Sequence, residues 1–179
     1  MIKKIAILAF FILTQITFAQ KYITRTGTTN FKASVATFEA IEATNKSTTV
    51  ILKTDTGDIA AQLFIAAFTF KVALMQEHFN ENYMDSDKFP KATFRGALKG
   101  FTMDTLKKEY PLLGTLIVRG IKKEIETTAT VMITEGTIGI SSNFTIKPQD
   151  FNIKIPKIVR KKIAKSININ LNYELVEKK

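Results

Sequence analysis

The chain has 179 residues, which is enough for one domain to bury a substantial core. It contains no cysteine, and this excludes disulfides and thiolate metal sites. The 26 lysine and arginine residues outnumber the 16 acidic ones and give a net charge of +10 at pH 7, which suits contact with anionic lipid head groups or acidic polymers.

Residues 1–19 have the pattern of a secretory signal peptide. Lys3 and Lys4 precede an apolar run over residues 5–13, and small residues up to Ala19 provide a cleavage site. The run is shorter than the roughly 20 residues that a membrane-spanning helix needs, and no cysteine follows that could carry a lipid anchor. We therefore expect residues 20–179 to form a soluble domain that is periplasmic or secreted, where nucleic acid is not an expected partner.

The mature part begins with a series of predicted β-strands. Alternating and β-branched residues predict strands over residues 22–29, 31–43 and 48–53. Residues 44–46 are expected to form a turn, and residues 55–58 a tight hairpin, because glycine accepts positive φ. A calcium loop at residues 55–58 would need more oxygen ligands at fixed intervals. The apolar residues 59–71 predict a strand that is covered on both faces or leads under the next segment.

Residues 72–96 depart from the strand pattern. Helix-tolerant residues with apolar positions three and four apart predict a short helix over residues 73–79. Residues 85–87 suit a turn, and Pro90 forces Phe89 away from helical angles. A strand is expected to resume over residues 93–98.

The second half of the chain predicts further strands. Residues 100–113 suggest a strand end and an irregular loop, after which strands 114–121 and 125–133 are expected to form a hairpin across residues 122–124. A strand over residues 136–146 precedes a turn at residues 148–150. The clearest strand is the last one, where polar residues alternate with Ile167, Ile169, Leu171, Tyr173 and Leu175.

About eight strands, one helical insert and no long helix predict an all-β, mainly antiparallel barrel or sandwich. An eight-stranded barrel either fills with side chains or holds one small ligand. The chain has 14 phenylalanines and no tryptophan, and these rings can be ordinary core or the lining of an apolar cavity.

Catalytic and metal-binding patterns are missing from the sequence. His78 is the only histidine, and no Gly-x-Ser-x-Gly elbow presents a serine to it. His78 with Glu77 and Glu81 lacks a metal-ligand spacing, and the acidic residues here suit solvated faces or caps. We therefore predict a protein that is not an enzyme and needs no cofactor or metal. A structural hydrogen bond is the simplest role for His78, and a polar ligand contact is the alternative.

Residues 154–165 combine apolar residues at near-helical spacing with several basic ones. Ile155, Ile158, Val159 and Ile163 fall on one side of this pattern. The segment can contact an anionic membrane surface. The simpler interpretation is a linking turn whose apolar side packs against the barrel while its charges face water.

Four pieces of sequence resemble the YceI-like family of exported lipid-binding proteins. They are residues 75–96 (with MQEHF, Tyr83, SDKFPKATF and Gly96), 42–45 (EATN), 114–123 (GTLIVRGIKK) and 151–156 (FNIKIP). The resemblance implies an eight-stranded lipocalin-like barrel with a helical segment near one end and an apolar lumen. Members of this family are associated with polyisoprenoid chains or related amphiphiles, such as isoprenoid quinones and fatty acid derivatives.

The expected function is therefore to hold an isoprenoid-like or fatty acyl lipid for carriage, storage or sequestration. Strand alternation and the motif suggest lumen positions at Phe38, Phe64, Phe70, His78, Phe79, Tyr83, Phe89, Phe94 and Phe144. Arg119 departs from the family pattern and would meet a polar head group if it points inward. The alternative is a barrel with a filled core that binds envelope partners through its basic surface. The pattern is also compatible with a homodimer.

Overall fold

The computed structural model describes residues 20–34, 40–104 and 107–178. The predicted signal peptide and Phe38 lie outside these residues. The strands are β1 (Lys21–Ser34), β2 (Glu42–Lys53), β3 (Asp58–Phe64), β4 (Thr69–Phe70), β5 (Lys91–Leu98), β6 (Lys107–Val118), β7 (Ile121–Thr134), β8 (Thr137–Ile146) and β9 (Ile163–Glu177). Helix α1 (Ala73–His78) continues into a π-helical segment (Phe79–Met84), and 3-10 turns form at Ile65–Ala67 and Pro148–Phe151.

The eight longer strands of the described residues close into an antiparallel barrel. Their order around it is β1-β9-β8-β7-β6-β5-β3-β2, and the pairing of β1 with β2 completes the ring. The two-residue β4 pairs only with the start of β2. The predicted eight-stranded, lipocalin-like barrel with a short helical insert is confirmed.

The alternating strand directions give the barrel two different ends. Residues 65–90, the Arg119-Gly120 turn and residues 147–162 lie at one end, which we call the insert end. The short connections at residues 54–57 and 135–136 lie at the other, which we call the hairpin end. An internal cavity lies towards the insert end.

The hairpin end is filled by buried side chains. The inward-facing residues at this end form one apolar cluster, which includes Leu52, Leu98, Tyr110, Val131 and Leu175. All are almost inaccessible to solvent. Because strand side chains alternate between two faces, every strand of the ring supplies this core with every second residue.

A second apolar cluster lies at the insert end, where α1 and the two 3-10 turns meet the strand ends. It includes Leu63, Ile65, Met84, Val118 and Phe151. This cluster surrounds a space that its side chains do not fill.

Two turns were predicted in the wrong place. Residues 44–46 lie inside β2, where Thr44 pairs with Asn30 and donates a hydrogen bond of 2.6 Å to its side-chain oxygen. Polar residues that suggested a turn are here a cross-strand pair. The β6–β7 hairpin turns at Arg119-Gly120 and not at residues 122–124, because both residues adopt the positive φ that a two-residue hairpin needs.

Two other regions also differ from the prediction. Residues 107–113 belong to β6, paired with β7, and are not an irregular loop. The apolar run 59–71 is divided, because the chain leaves β3 at Phe64, makes a 3-10 turn and forms β4. The helix predicted over residues 73–79 is confirmed as α1, and the last strand is confirmed as β9.

Candidate functional site

A cavity of about 380 Å³ lies inside the barrel towards the insert end. Its wall is mostly aliphatic and aromatic, and strands from around the ring contribute to it. The principal apolar lining residues are Phe31, Leu63, Ile65, Phe68, Phe70, Met75, Phe79, Phe94, Leu116, Val118, Ile125, Ile140, Phe144, Ile146, Ile153, Ile167, Ile169 and Leu171. No aspartate or glutamate among the described residues lines it.

The deep part of the cavity ends at three hydroxyl groups. The Oγ1 atom of Thr29 lies 2.9 Å from Oγ1 of Thr48 and 3.1 Å from the phenol oxygen of Tyr173. Burial raises the pKa of Tyr173 to about 12, although its hydrogen bond with Thr29 works in the opposite direction. The phenol is therefore neutral at physiological pH. These hydroxyl groups are hydrogen-bonded to one another, and the wall around them is apolar.

A glycine pair leaves room for the Phe94 ring inside the barrel. Gly96 of β5 pairs directly with Gly114 of β6. A Cβ atom on Gly96 would lie 2.8 Å from Cζ of Phe94, and one on Gly114 would lie 2.6 Å from it. Since neither glycine carries a side chain, the ring occupies this space and also packs against the core of the hairpin end. Phe94 therefore lies at the boundary between the cavity and the filled core, where core residues such as Ile140 and Tyr173 also line the cavity.

Aromatic rings form the wall beside the insert. The ring of Phe79 lies 5.3 Å from that of Phe31, 5.7 Å from that of Phe68 and 5.1 Å from that of Phe70. These four residues come from β1, the segment after β3, β4 and the π-helical segment. Their contacts attach the insert to the barrel and keep this side of the cavity apolar.

A few polar side chains lie among the lining residues. His78 ends α1, and Tyr83 belongs to the π-helical segment. Burial raises the pKa of the Tyr83 phenol. Gln62 and Lys162 also line the cavity, and Lys162 is the one permanently charged side chain that does so within the described residues. The site therefore has a large apolar surface and few groups that could orient a polar head.

Six of the predicted lumen residues line this one cavity: Phe70, His78, Phe79, Tyr83, Phe94 and Phe144. Phe64 does not. Its ring is 50% exposed and lies under the ammonium group of Lys91, 5.1 Å from the ring centre. Phe89 does not line the cavity either, and the Arg119 guanidinium lies over its ring, 5.7 Å from the ring centre. Phe38 lies outside the described residues, and ligand contact by the six lining residues stays a prediction.

The sequence interpretation missed several lining residues. Phe31 and Phe68 are central to the aromatic wall, and Ile153, Ile155 and Val159 line the cavity from the segment before β9. Alternation along β1 could have indicated Phe31. The pattern of residues 154–165 places Ile155 and Val159 on an apolar side without assigning them to the lumen, and nothing distinguishes Phe68 and Ile153 from ordinary core residues.

Arg119 does not line the cavity. Its Nη1 donates a hydrogen bond of 2.9 Å to the carbonyl oxygen of Asn152. Its backbone has a φ of 50°, and the side chain lies over Phe89. Arg119 thus links the β6–β7 turn to the segment that follows β8, and it is not placed to meet a head group inside the barrel.

The described residues offer no group of three His, Asp or Glu side chains that could hold a metal ion. Within the same ranges, none of the helices combines the length and the apolar character needed to cross a membrane.

Comparisons with known proteins identify one family and several similar folds. The model of the YceI-like domain matches residues 13–175, whereas no curated protein sequence matches the chain. BcnA of Burkholderia cenocepacia has a TM-score of 0.70 at 18% identity, over 83% of this chain and 96% of its own.

Two other solved structures are also similar. A polyisoprenoid binding domain from Saccharophagus degradans, implicated in plant cell wall breakdown, has a TM-score of 0.75 at 13% identity, over 88% of this chain and 98% of its own. The YceI protein of Campylobacter jejuni has a TM-score of 0.61 at 20% identity, over 79% of this chain and 87% of its own. At these identities the similarity concerns the fold.

Proposed function

This chain belongs to the YceI-like family, and from that premise we propose that it is a binding protein which holds one long-chain amphiphilic lipid inside its barrel. A polyisoprenoid or a similar chain is the ligand class that we favour. The protein would carry, store or sequester this lipid and would not act on it chemically.

The observation that carries the proposal is the apolar cavity of about 380 Å³. Its size falls within the range of about 300–1,000 Å³ that is typical of small-molecule sites. Each methylene group that leaves water for such a wall contributes about 0.8 kcal/mol, so a long hydrocarbon chain needs few polar contacts. The cavity also argues against the alternative of a barrel whose core is filled.

The similarity to a polyisoprenoid binding domain supports the ligand class. The lining fits it, because aromatic and aliphatic side chains discriminate poorly between chains of different origin. Isoprenoid quinones and fatty acyl chains are therefore further candidates within the same class.

The first test is to purify the protein from its native source without detergent, extract it with organic solvent and identify the extract by mass spectrometry. We expect a stoichiometric isoprenoid or acyl species. A protein that is empty and that also takes up none of a panel of such lipids would contradict the proposal.

A pair of variants tests whether the ligand lies in the cavity. Phe144 of β8 lines the cavity, whereas its neighbour Thr145 faces the solvent. Phe144→Lys places a charge in an apolar space and should abolish lipid retention, while Thr145→Lys adds the same charge outside and should retain the lipid. Equal retention by the two folded variants would place the ligand elsewhere.

We also propose that the protein is exported after cleavage at Ala19, which the basic and apolar pattern of residues 1–19 supports. N-terminal sequencing of the protein recovered from the cell envelope should begin at Gln20. An intact Met1 in that fraction would contradict cleavage.

A further inference from the structure

The segment between the 3-10 turn Pro148–Phe151 and β9, together with the first residues of β9, is strongly basic. Residues 153–165, which we call the basic segment, contain Lys154, Lys157, Arg160, Lys161, Lys162 and Lys165. No acidic residue occurs between Asp150 and Glu174. The cations are therefore not neutralised by carboxylates of their own segment.

The basic segment has an inner and an outer face. Ile155, Val159 and Ile163 line the cavity. Ile158, which the sequence pattern grouped with them, is 88% exposed and is the most exposed large apolar side chain of the described residues. The prediction that the apolar residues of this segment share one packed side is wrong for Ile158.

The backbone of the segment explains this separation. It forms successive turns, with hydrogen bonds from Val159 to Pro156 (3.2 Å) and from Lys162 to Val159 (2.9 Å), and it is not a helix. Arg160 also donates through Nη2 to the carbonyl oxygen of Ile155, at 3.3 Å. In this conformation Val159 contacts the cavity while the neighbouring Ile158 projects into solvent.

We propose that the basic segment docks the protein on an anionic lipid bilayer, with Ile158 inserted among the head groups. Basic residues close to a bilayer are attracted by its negative surface potential, and an apolar side chain gains free energy by leaving water for the acyl boundary. A hydrophilic polyanion would satisfy the lysines but would give Ile158 no apolar environment. The pairing of an exposed isoleucine with uncompensated cations therefore favours a membrane.

The charge distribution at the insert end also orients the docked protein. Residues 65–90 carry four acidic and two basic residues, with Glu77, Glu81 and Asp87 exposed, and an anionic surface attracts this net negative insert less than it attracts the basic segment. The basic segment lies in the connection between β8 and β9, and Arg119 joins this connection to the β6–β7 turn. The bilayer would therefore face the β8–β9 connection and not the insert.

Docking at this place would serve ligand transfer, an extension that rests on the proposed lipid-binding function. The same segment forms part of the cavity wall and the membrane contact, so a lipid could pass beside Val159 with little exposure to water. The docking itself does not require a bound ligand, and it is tested separately.

The test is cosedimentation of the protein with vesicles of equal parts phosphatidylglycerol and phosphatidylcholine, compared with phosphatidylcholine alone. We expect binding to the anionic vesicles that weakens with added salt. Replacing Lys157, Lys161 and Lys165 together by glutamine should weaken partitioning about a hundredfold. The control replaces Lys21, Lys99 and Lys107, which lie at the hairpin end, by glutamine and keeps the same net charge.

Ile158→Ser distinguishes a membrane from other polyanions and should weaken binding about tenfold. Its control is Val176→Ser, since Val176 is 55% exposed at the hairpin end. The proposal is overturned if the wild-type protein does not bind anionic vesicles, or if the two triple-glutamine variants lose the same amount of binding. It is also overturned if Ile158→Ser binds as the wild type does. The last result would indicate a polyanion site. Circular dichroism of each variant confirms that it is folded.

Discussion

Phe31 of β1 and Phe79, the first residue after α1, stack with their ring centroids 5.3 Å apart and their planes inclined by 25°. Phe68 packs edge-on against both rings, at 5.3 Å from Phe31 and 5.7 Å from Phe79. The insert is therefore attached to the barrel by aromatic contacts on the cavity wall. Offset and edge-on pairs of this kind contribute about 0.5–1.5 kcal/mol beyond their buried area.

Phe79→Ala should lower the free energy of unfolding by about 2–4 kcal/mol, because it removes ring contacts with three other phenylalanines and leaves a void beside the cavity. Leu74→Ala is the matched control, since Leu74 belongs to α1 but is 56% exposed, and it should change stability by less than about 0.5 kcal/mol. Urea unfolding followed by circular dichroism measures both. Equal changes in the two variants would mean that the aromatic cluster does not hold the insert.

Gly114→Ala should be destabilising by about 1–3 kcal/mol, because the added Cβ would lie 2.5 Å from the Cα of Gly96 and 2.6 Å from the Phe94 ring. The backbone carbonyl oxygen of Arg95 would be closer still, so the neighbouring strand as well as the ring would have to move. Gly139→Ala is the control, since its nearest neighbour would be 3.6 Å away. Thermal unfolding compares the two variants, and a Gly114→Ala protein as stable as Gly139→Ala would show that the close approach is easily relieved.

Asn45→Ala should cost about 1–3 kcal/mol of stability, although the sequence alone suggested a surface turn at this position. The Asn45 side chain is fully buried, donates 2.9 Å to the carbonyl oxygen of Phe64 and accepts from the backbone N–H of Ser47 at 2.8 Å. Alanine leaves both backbone groups without this partner. Asn143→Ala, at an exposed position of β8, serves as the control in the same urea experiment. Similar midpoints for the two variants would contradict the prediction.

The strand pattern predicted the fold class because one face of each strand is buried, and β9 is the clearest case. The strand pattern alone did not predict that the sheet closes into an eight-stranded ring, because the same pattern also allows a sandwich. It followed from the resemblance carried by residues 75–96 and three shorter pieces. The turns were less predictable, because polar residues also occur inside strands. Thr44 makes a cross-strand hydrogen bond with Asn30, and the buried Asn45 side chain donates a hydrogen bond to Phe64.

The site was predictable where alternation fixed the inward face, as for Phe144 in β8. It was not predictable in the apolar run over residues 59–71, where both faces of the strand carry apolar residues and periodicity cannot assign Phe64 to either one. The place of the Phe94 ring in the cavity wall depends on the register that brings Gly96 opposite Gly114, which strand alternation does not fix. Ile158 was misplaced because helical spacing was assumed for a segment that forms turns.

The raised pKa of Tyr173 predicts a specific loss of stability at alkaline pH. Its pKa is about 12 in the folded protein, and an unperturbed tyrosine has a pKa of about 10. The folded state therefore binds the proton more tightly than the unfolded state does. This contribution to stability is complete below pH 10 and is lost as the pH rises from about 10 to 12, at up to about 1.4 kcal/mol per pH unit.

Tyr173→Phe removes the phenol, so its free energy of unfolding should fall less steeply than that of the wild type between about pH 10 and 12. Below pH 10 the variant should be less stable than the wild type, because the hydrogen bond with Thr29 at 3.1 Å is lost. Urea unfolding at a series of pH values gives both free energies, and their difference isolates Tyr173 from the other groups that titrate in this range. The difference should shrink as the pH rises. A difference that stays constant with pH would mean that the hydroxyl cluster at the end of the cavity is open to water and that the phenol ionises there as readily as in the unfolded chain.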